Sequence, residues 1–285
     1  MKKKILLILI LVLTIVLTCL GAYLNGRYIN PTDFSVTYLD VESERIPESF
    51  QDHNILFISD LEYGSFFNEE RLTKFIDHVN RLHADIVIFG GDLFDKNFVP
   101  MSEDVTLLTQ KLTSIKADLG KFAILGDYDQ TTSERTALVS KILYDSNFEM
   151  LEGNNIGLHC GNSEYINLVG FNYNEEMYDL SESYANIVPE NYTITVVHGA
   201  KMITYLPVNI SDLTLSGHSH HVQVNLPFMV DESYKMTGGY AHGRFKTNKT
   251  LLYVTRGVGT TNKDFRIFSD PEIVSIRLKH KSPEQ

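Results

Sequence analysis

The chain has 285 residues, 43% of them hydrophobic and 21% charged, with a formal net charge of -11. That is enough for one large α/β domain with a real core, and it excludes a mini-protein and a disordered chain. The acidic balance, with no basic run after the N-terminus, argues against a nucleic-acid partner held through its phosphates. In chain order, Lys2, Lys3 and Lys4 precede an unbroken apolar run from Ile5 to about Leu24, the ~20 residues a transmembrane helix needs. The run is longer than a usual signal-peptide core and no clear small-residue cleavage site follows, although a cleaved signal peptide remains the alternative. The lysines favour the cytoplasmic side, which puts the remainder outside a cell membrane as a single-pass signal-anchored domain. The two cysteines, Cys19 and Cys160, predict no disulfide, because the first lies in the apolar run.

Residues 25–50 read as a tether with an edge strand at 34–41, and residues 51–285 as the main domain. In the latter, buried apolar strands at 54–59, 85–89 and 121–125 alternate with helical spacing at 69–83, 105–117 and 133–147. That alternation predicts a parallel βαβ core. The second half is richer in strands (165–170, 193–197, 213–216, 251–254 and 272–278), which predicts a second sheet and hence a two-sheet α/β sandwich.

Five predicted strands end in acidic or histidine residues: Asp60-Leu61-Glu62, Gly91-Asp92-Leu93-Phe94-Asp95, Gly126-Asp127-Tyr128-Asp129, His198-Gly199 and Gly217-His218-Ser219-His220. Open α/β sheets place their sites at such carboxyl ends. Carboxylates mixed with imidazoles suit paired divalent cations, since a carboxylate bridges two ions and a neutral imidazole completes a shell without adding charge.

In this order the motifs resemble those of the calcineurin-like metallophosphoesterases, D-x-H, G-D-x-x-D, G-N-H-D/E, a lone His and G-H-x-H, over about residues 34–279. The 253–261 stretch (YVTRGVGTT), the closing Asp270-Pro271-Glu272-Ile273 and the N-terminal anchor are similar to the membrane-associated bacterial branch with lipid-sugar pyrophosphatase-like enzymes. The resemblance implies the four-layer fold, with Asp60 and His220 on one metal, Asp92 bridging, and His198 and His218 on the other. It also implies a hydroxide held by the metals that attacks phosphorus in line.

Three positions depart from the family pattern. Glu62 and Asp127 replace a His and an Asn that bind metal, and both remain competent ligands. Tyr128 replaces a catalytic His. With an ordinary pKa of about 10, a tyrosine is a poor proton shuttle near neutrality, and losing such a group costs on the order of 10²–10⁴ in rate. Four carboxylates (Asp60, Glu62, Asp92, Asp127) against two divalent cations leave a near-neutral filled site, and the oxygen-rich shell favours Mn²⁺ or Fe²⁺, admits Mg²⁺ and suits Zn²⁺ less.

The expected activity is therefore a metal-dependent phosphohydrolase of phosphodiesterase or pyrophosphatase type, with a membrane or lipid-linked substrate. Asp92 and Tyr128 are its catalytic candidates. The alternatives are a metal-binding pseudo-phosphatase that senses or binds, and a purely structural metal site. His221, His242 and Arg256 are accessory candidates: the histidines as stand-ins for the missing His or as ordinary loop residues, Arg256 as a phosphate contact or a strand-end salt bridge. Tyr63, Phe66 and Phe67 either floor a substrate groove or pack their loop, and Asp95 and Asp129 orient ligands.

Overall fold

The computed structural model describes residues 2–173, 183–207, 209–219, 223–225, 237–248 and 250–282. Helix α1 (Lys2–Leu24) carries the apolar run, is exposed along its length, and is long and apolar enough to cross a membrane. The chain then turns through Asn25–Ile29 and Asn30–Thr32 into strand β1 (Ser35–Ser43).

Two six-stranded sheets follow. The first holds β1, β2 (Asn54–Ile58), β3 (Ile86–Phe89), β4 (Gly120–Ala123), β5 (Glu149–Met150) and β12 (Glu272–His280) in the order β1-β12-β2-β3-β4-β5. Strands β2 to β5 run parallel, as the apolar runs predict, while β12 enters antiparallel to β2 and pairs in parallel with β1. The second holds β6 (Asn154–His159), β7 (Tyr165–Phe171), β8 (Thr193–Gly199), β9 (Leu213–Gly217), β10 (Gly243–Lys246) and β11 (Leu251–Val254), ordered β10-β11-β9-β8-β7-β6.

Strands buried on both faces are predominantly apolar, and the two faces feed different cores. Ile55, Phe57, Ile86 and Ile88 meet Ile166, Leu168, Ile194 and Val196 between the sheets. The alternate residues Leu56, Ile58, Val87 and Phe89 face Leu72, Phe75, Leu108, Leu112 and Val139. Those last belong to helices α2 (Glu69–Arg81), α3 (Ser102–Thr113) and α4 (Ser133–Asp145), which cover the first sheet. The outer face of the second sheet is covered by Ala200, Met202, Ile203 and Leu206. The result is the two-sheet α/β sandwich with helices that the sequence predicts, and it gathers the parallel strands' carboxyl ends in one place.

Candidate metal centre

Backbone geometry comes first. Asp60, Glu62, Asp92 and His218 all adopt left-handed φ, between 54° and 66°, a conformation that non-glycine residues hold mainly where the surroundings force it. Each follows a strand directly or within a few residues, so the chain must turn sharply as it leaves the sheet. Backbone contacts lock these turns: Asp60 N–H donates to Gly91 C=O, Glu62 N–H to Asp92 C=O, and Gly259 N–H to Asp60 C=O. Gly126 and Gly217 allow the close approach, since a Cβ at either would collide with the carboxylate of Asp92 or of Asp60, respectively.

Asp129 is buried and ties two loops together. Its Oδ2 accepts from the N–H groups of Asp92 (2.8 Å) and Gly126 (3.0 Å), and its Oδ1 from Leu93 N–H (2.9 Å). It thus fixes the backbone of the Asp92 and Gly126 turns from a position behind them.

The ligand atoms of Asp92, Asp127, His198 and His218 all lie within 4.8 Å of one another. His198 Nε2 sits 3.1 Å from Asp127 Oδ1, 3.2 Å from Asp92 Oδ2 and 4.0 Å from Asp60 Oδ1. His218 Nδ1 lies 2.9 Å from the same Asp127 oxygen, and its backbone N–H donates to the Asp60 carboxylate. Glu62 is buried beside them.

His198 decides what the cluster needs. Its Nδ1 lies 2.7 Å from Gly90 C=O, and a carbonyl can only accept, so Nδ1 carries the proton. In the neutral ring, Nε2 then points a lone pair at two carboxylate oxygens. Either a proton on Nε2 or a metal cation would satisfy these acceptors, and a backbone carbonyl orienting the far nitrogen is the usual support of a metal-binding imidazole. Asp92 Oδ2, fully buried and without a hydrogen-bond partner among the described residues, makes the same demand. The residues therefore fit divalent cations.

The titration tendencies agree. Burial raises Asp92 to about 7, against the opposing charge of His198. Burial works against a charged His198, but Asp92, Asp127 and Asp60 lift its pKa well above the ordinary value. Burial also opposes charge on Asp127, and hydrogen bonds from His198 and His218 nevertheless hold it well below the usual carboxylate range. Without metal, protons supply the missing positive charge. Burial raises the Tyr128 phenol above its ordinary value, as do Glu62, Asp127, Asp92 and Asp60, so near neutrality its hydroxyl keeps its proton and can donate it in a hydrogen bond.

The sequence candidates thus divide. Asp60, Glu62, Asp92, Asp127, Tyr128, His198 and His218 share one site, whereas His220 and His221 lie outside the described residues. Arg256 and His242 sit elsewhere, against buried Glu272: Arg256 Nη2 is 3.4 Å from its Oε1 and His242 Nε2 is 3.6 Å from its Oε2. Tyr63 and Phe67 are buried within their loop, and Asp95 Oδ1 accepts from Asn97 N–H.

Sequence reasoning missed Tyr173, two residues past β7, whose ring lies 5.8 Å from that of His198 and 5.3 Å from that of His218. Its signal was its place at a sixth strand end. Lys96, with Nζ 5.5 Å from the centre of the Tyr128 ring, was also missed.

Fold and site together define an α/β sandwich protein with a carboxylate–imidazole centre at convergent strand ends. A model of the calcineurin-like phosphoesterase family matches residues 53–235, and the chain belongs to that family. It is 27% identical over 272 residues to the uncharacterised metallophosphoesterase YkuE of Bacillus subtilis, covering 92% of each chain. It is 30% identical over 250 residues to an uncharacterised metallophosphoesterase of Campylobacter jejuni, covering 86% of this chain and 63% of that one. It is 28% identical over 315 residues to the UDP-2,3-diacylglucosamine pyrophosphatase LpxG of Chlamydia muridarum, covering 90% of this chain and 92% of that protein.

Proposed function

We propose that this family member is a membrane-anchored, metal-dependent hydrolase of phosphodiester or pyrophosphate bonds, with its domain outside the cytoplasm. The observation that carries the reading is the meeting of Asp92 Oδ2 and Asp127 Oδ1 within 3.2 Å of His198 Nε2, a carboxylate–imidazole set that divalent cations would satisfy in place of a proton. Asp60, Glu62, Asp92, Asp127, His198 and His218, with His220, would hold two divalent ions. Such ions supply Lewis acidity and offset phosphate charge. The oxygen-rich donor set suits Mn²⁺, Fe²⁺ or Mg²⁺ better than Zn²⁺.

The protein's own groups do the rest. Asp129 fixes the loops that carry Asp92 and Asp127. Tyr128, protonated and half-buried beside the carboxylates, donates a hydrogen bond to an oxygen of the reacting phosphoryl group, and its N–H holds Asp92 Oδ1 at 2.9 Å. The absence of an imidazole at position 128 favours substrates whose leaving group departs without strong acid assistance, as in a pyrophosphate. The pyrophosphatase activity in the name of the Chlamydia relative supports this choice, and the anchor supports a lipid-linked substrate. The lysines before α1 support the outward orientation.

Full-length protein in detergent, stripped by chelator and titrated with Mn²⁺, tests the reading against bis(p-nitrophenyl) phosphate and a nucleotide-sugar pyrophosphate. About two metals per chain, with turnover lost in Asp92→Asn, supports it. Full metal loading without turnover on any ester favours a binding or sensing module. No metal uptake overturns both.

A further inference from the structure

The base of α1 is built into the domain beside the metal centre. Gly26 C=O accepts from Arg266 N–H (2.8 Å), and Asn30 Nδ2 donates to Arg266 C=O (3.0 Å). A Cβ at Gly26 would meet Ile267 and Phe265, so the stem lies flush on the 264–267 strap. Asp264 clamps the same joint, taking Arg27 at 2.5 Å and a two-pronged contact from Arg71 of α2 at 2.6 and 2.7 Å.

The fully buried Arg266 then reaches inward. Its guanidinium donates to the carbonyls of Gly257 and Gly259. Gly259 N–H is bonded to Asp60 C=O at 2.7 Å, and a Cβ on Gly257 would touch Asp60. One arginine therefore separates the anchor backbone from the turn carrying Asp60. The metal centre lies at the end of the domain where α1 leaves it.

That end carries several exposed apolar side chains. Phe268, next in sequence to the strap that receives the stem, is 66% exposed and has a left-handed φ of 52°. A bulky aromatic in that conformation, turned out of the domain, gains nothing from the domain's own core. Tyr28 and Ile29, on the stem itself, are 64% and 57% exposed. Val99 and Met101 stand out from the loop that follows β3, at the same carboxyl end of the sheet. Aromatic and aliphatic side chains grouped where a membrane-length helix meets its domain suit the interfacial layer of a bilayer.

We propose that Tyr28, Ile29 and Phe268 form a collar that seats in the lipid interface around α1, so that the metal-centre end of the domain faces the bilayer and draws an amphiphilic phosphoester from it. The second half rests on the hydrolase reading given above; the seating itself does not.

The chain has no tryptophan, so Phe268→Trp provides a sole reporter in full-length protein reconstituted in phosphatidylcholine vesicles. Tyr144→Trp is the control: that residue is exposed near the far end of α4, away from the strand carboxyl ends. Loss of emission with lipids brominated near the headgroup in Phe268→Trp, and none in Tyr144→Trp, supports the collar. Equal emission with and without bromine overturns it. So does emission from Phe268→Trp that depends on protein concentration in detergent, which would assign the patch to a second copy of the chain.

For the substrate half, Phe268→Ser should lower turnover of a diacyl nucleotide-sugar pyrophosphate in vesicles about tenfold, the effect of weakening one aromatic's burial, while sparing soluble bis(p-nitrophenyl) phosphate. An equal loss on both, or no loss on either, overturns lipid capture. If the wild-type chain turns over neither substrate, the hydrolase reading fails and quenching still decides the collar.

Discussion

Replacing Asp129 should damage the protein in proportion to the number of backbone donors its carboxylate satisfies. In Asp129→Ala, the N–H groups of Asp92, Leu93 and Gly126 lose their acceptor inside a buried site. Each stranded donor costs about 1–3 kcal/mol, so the gross loss is about 3–9 kcal/mol. Part is returned, because burial also raises the Asp129 pKa and the mutation removes a disfavoured charge. A net loss of about 3 kcal/mol is expected, a large share of a typical stability of about 5–15 kcal/mol.

Asp129→Asn should be milder. With its carbonyl oxygen in the Oδ2 position, it still accepts from Asp92 and Gly126 and opposes only Leu93, a loss of about 1–3 kcal/mol. Urea unfolding of chelator-treated protein in detergent, followed by circular dichroism, should show the Ala variant's midpoint about 1 M lower for a slope near 3 kcal/mol/M. Mn²⁺ affinity should fall about 10- to 100-fold alongside. A midpoint equal to wild type in the Ala variant, or an Asn variant worse than the Ala variant, would refute the accounting.

Gly126→Ala drives a methyl into the Asp92 carboxylate, and metal analysis after dialysis should show a chain that no longer holds its full complement. Tyr128→Phe should cut kcat on the order of 10²-fold by removing a preorganised donor. Tyr128→His should exceed wild type and add a pH limb near 6.5, the ordinary imidazole value; unchanged pH–rate profiles in both would leave Tyr128 without a role. Lys121 Nζ is buried against Leu112 C=O and the Phe148 ring, and burial lowers its pKa to about 8. Above that pH the folded chain has released a proton that the unfolded chain keeps until about 10.4, so stability contributed by this site should rise with pH across that interval. Urea midpoints of wild type minus those of Lys121→Met should climb from pH 8 to 9.5, and a flat difference would count against it.

What was legible in the sequence follows from where the physics is local. Strands β2 and β3 lie between two layers and are apolar almost throughout, so Asn54–Ile58 and Ile86–Phe89 announce themselves. Strand β6 (Asn154–His159) and strand β10 (Gly243–Lys246) sit at sheet edges with many exposed or half-buried side chains, and their compositions carry no such pattern. Helix α3 begins at Ser102, ahead of the first apolar residue at Val105, because the Asp104 carboxylate accepts the Met101 N–H and opens the turn early. The site was legible because Asp and His beside Gly at several strand ends have few other uses. Arg266, Asp264 and Tyr173 were not, because their roles depend on contacts between segments far apart in sequence.

The metal centre and the membrane seat address one electrostatic problem. Asp60, Glu62, Asp92 and Asp127 stand together with His198 and His218 beside them, in a chain whose net charge is -11. Metal-free, the cluster keeps protons on groups that must release them before a cation can bind, since burial holds Asp92 near 7. Divalent ions would replace those protons and leave the centre near neutral, so attraction for a phosphate must come from direct coordination rather than from a long-range positive field. An acidic domain with a near-neutral centre draws no anionic substrate from a distance. Holding the centre against the bilayer through Gly26, Arg266 and the Phe268 collar would provide, by proximity, the local substrate concentration that the charge distribution does not.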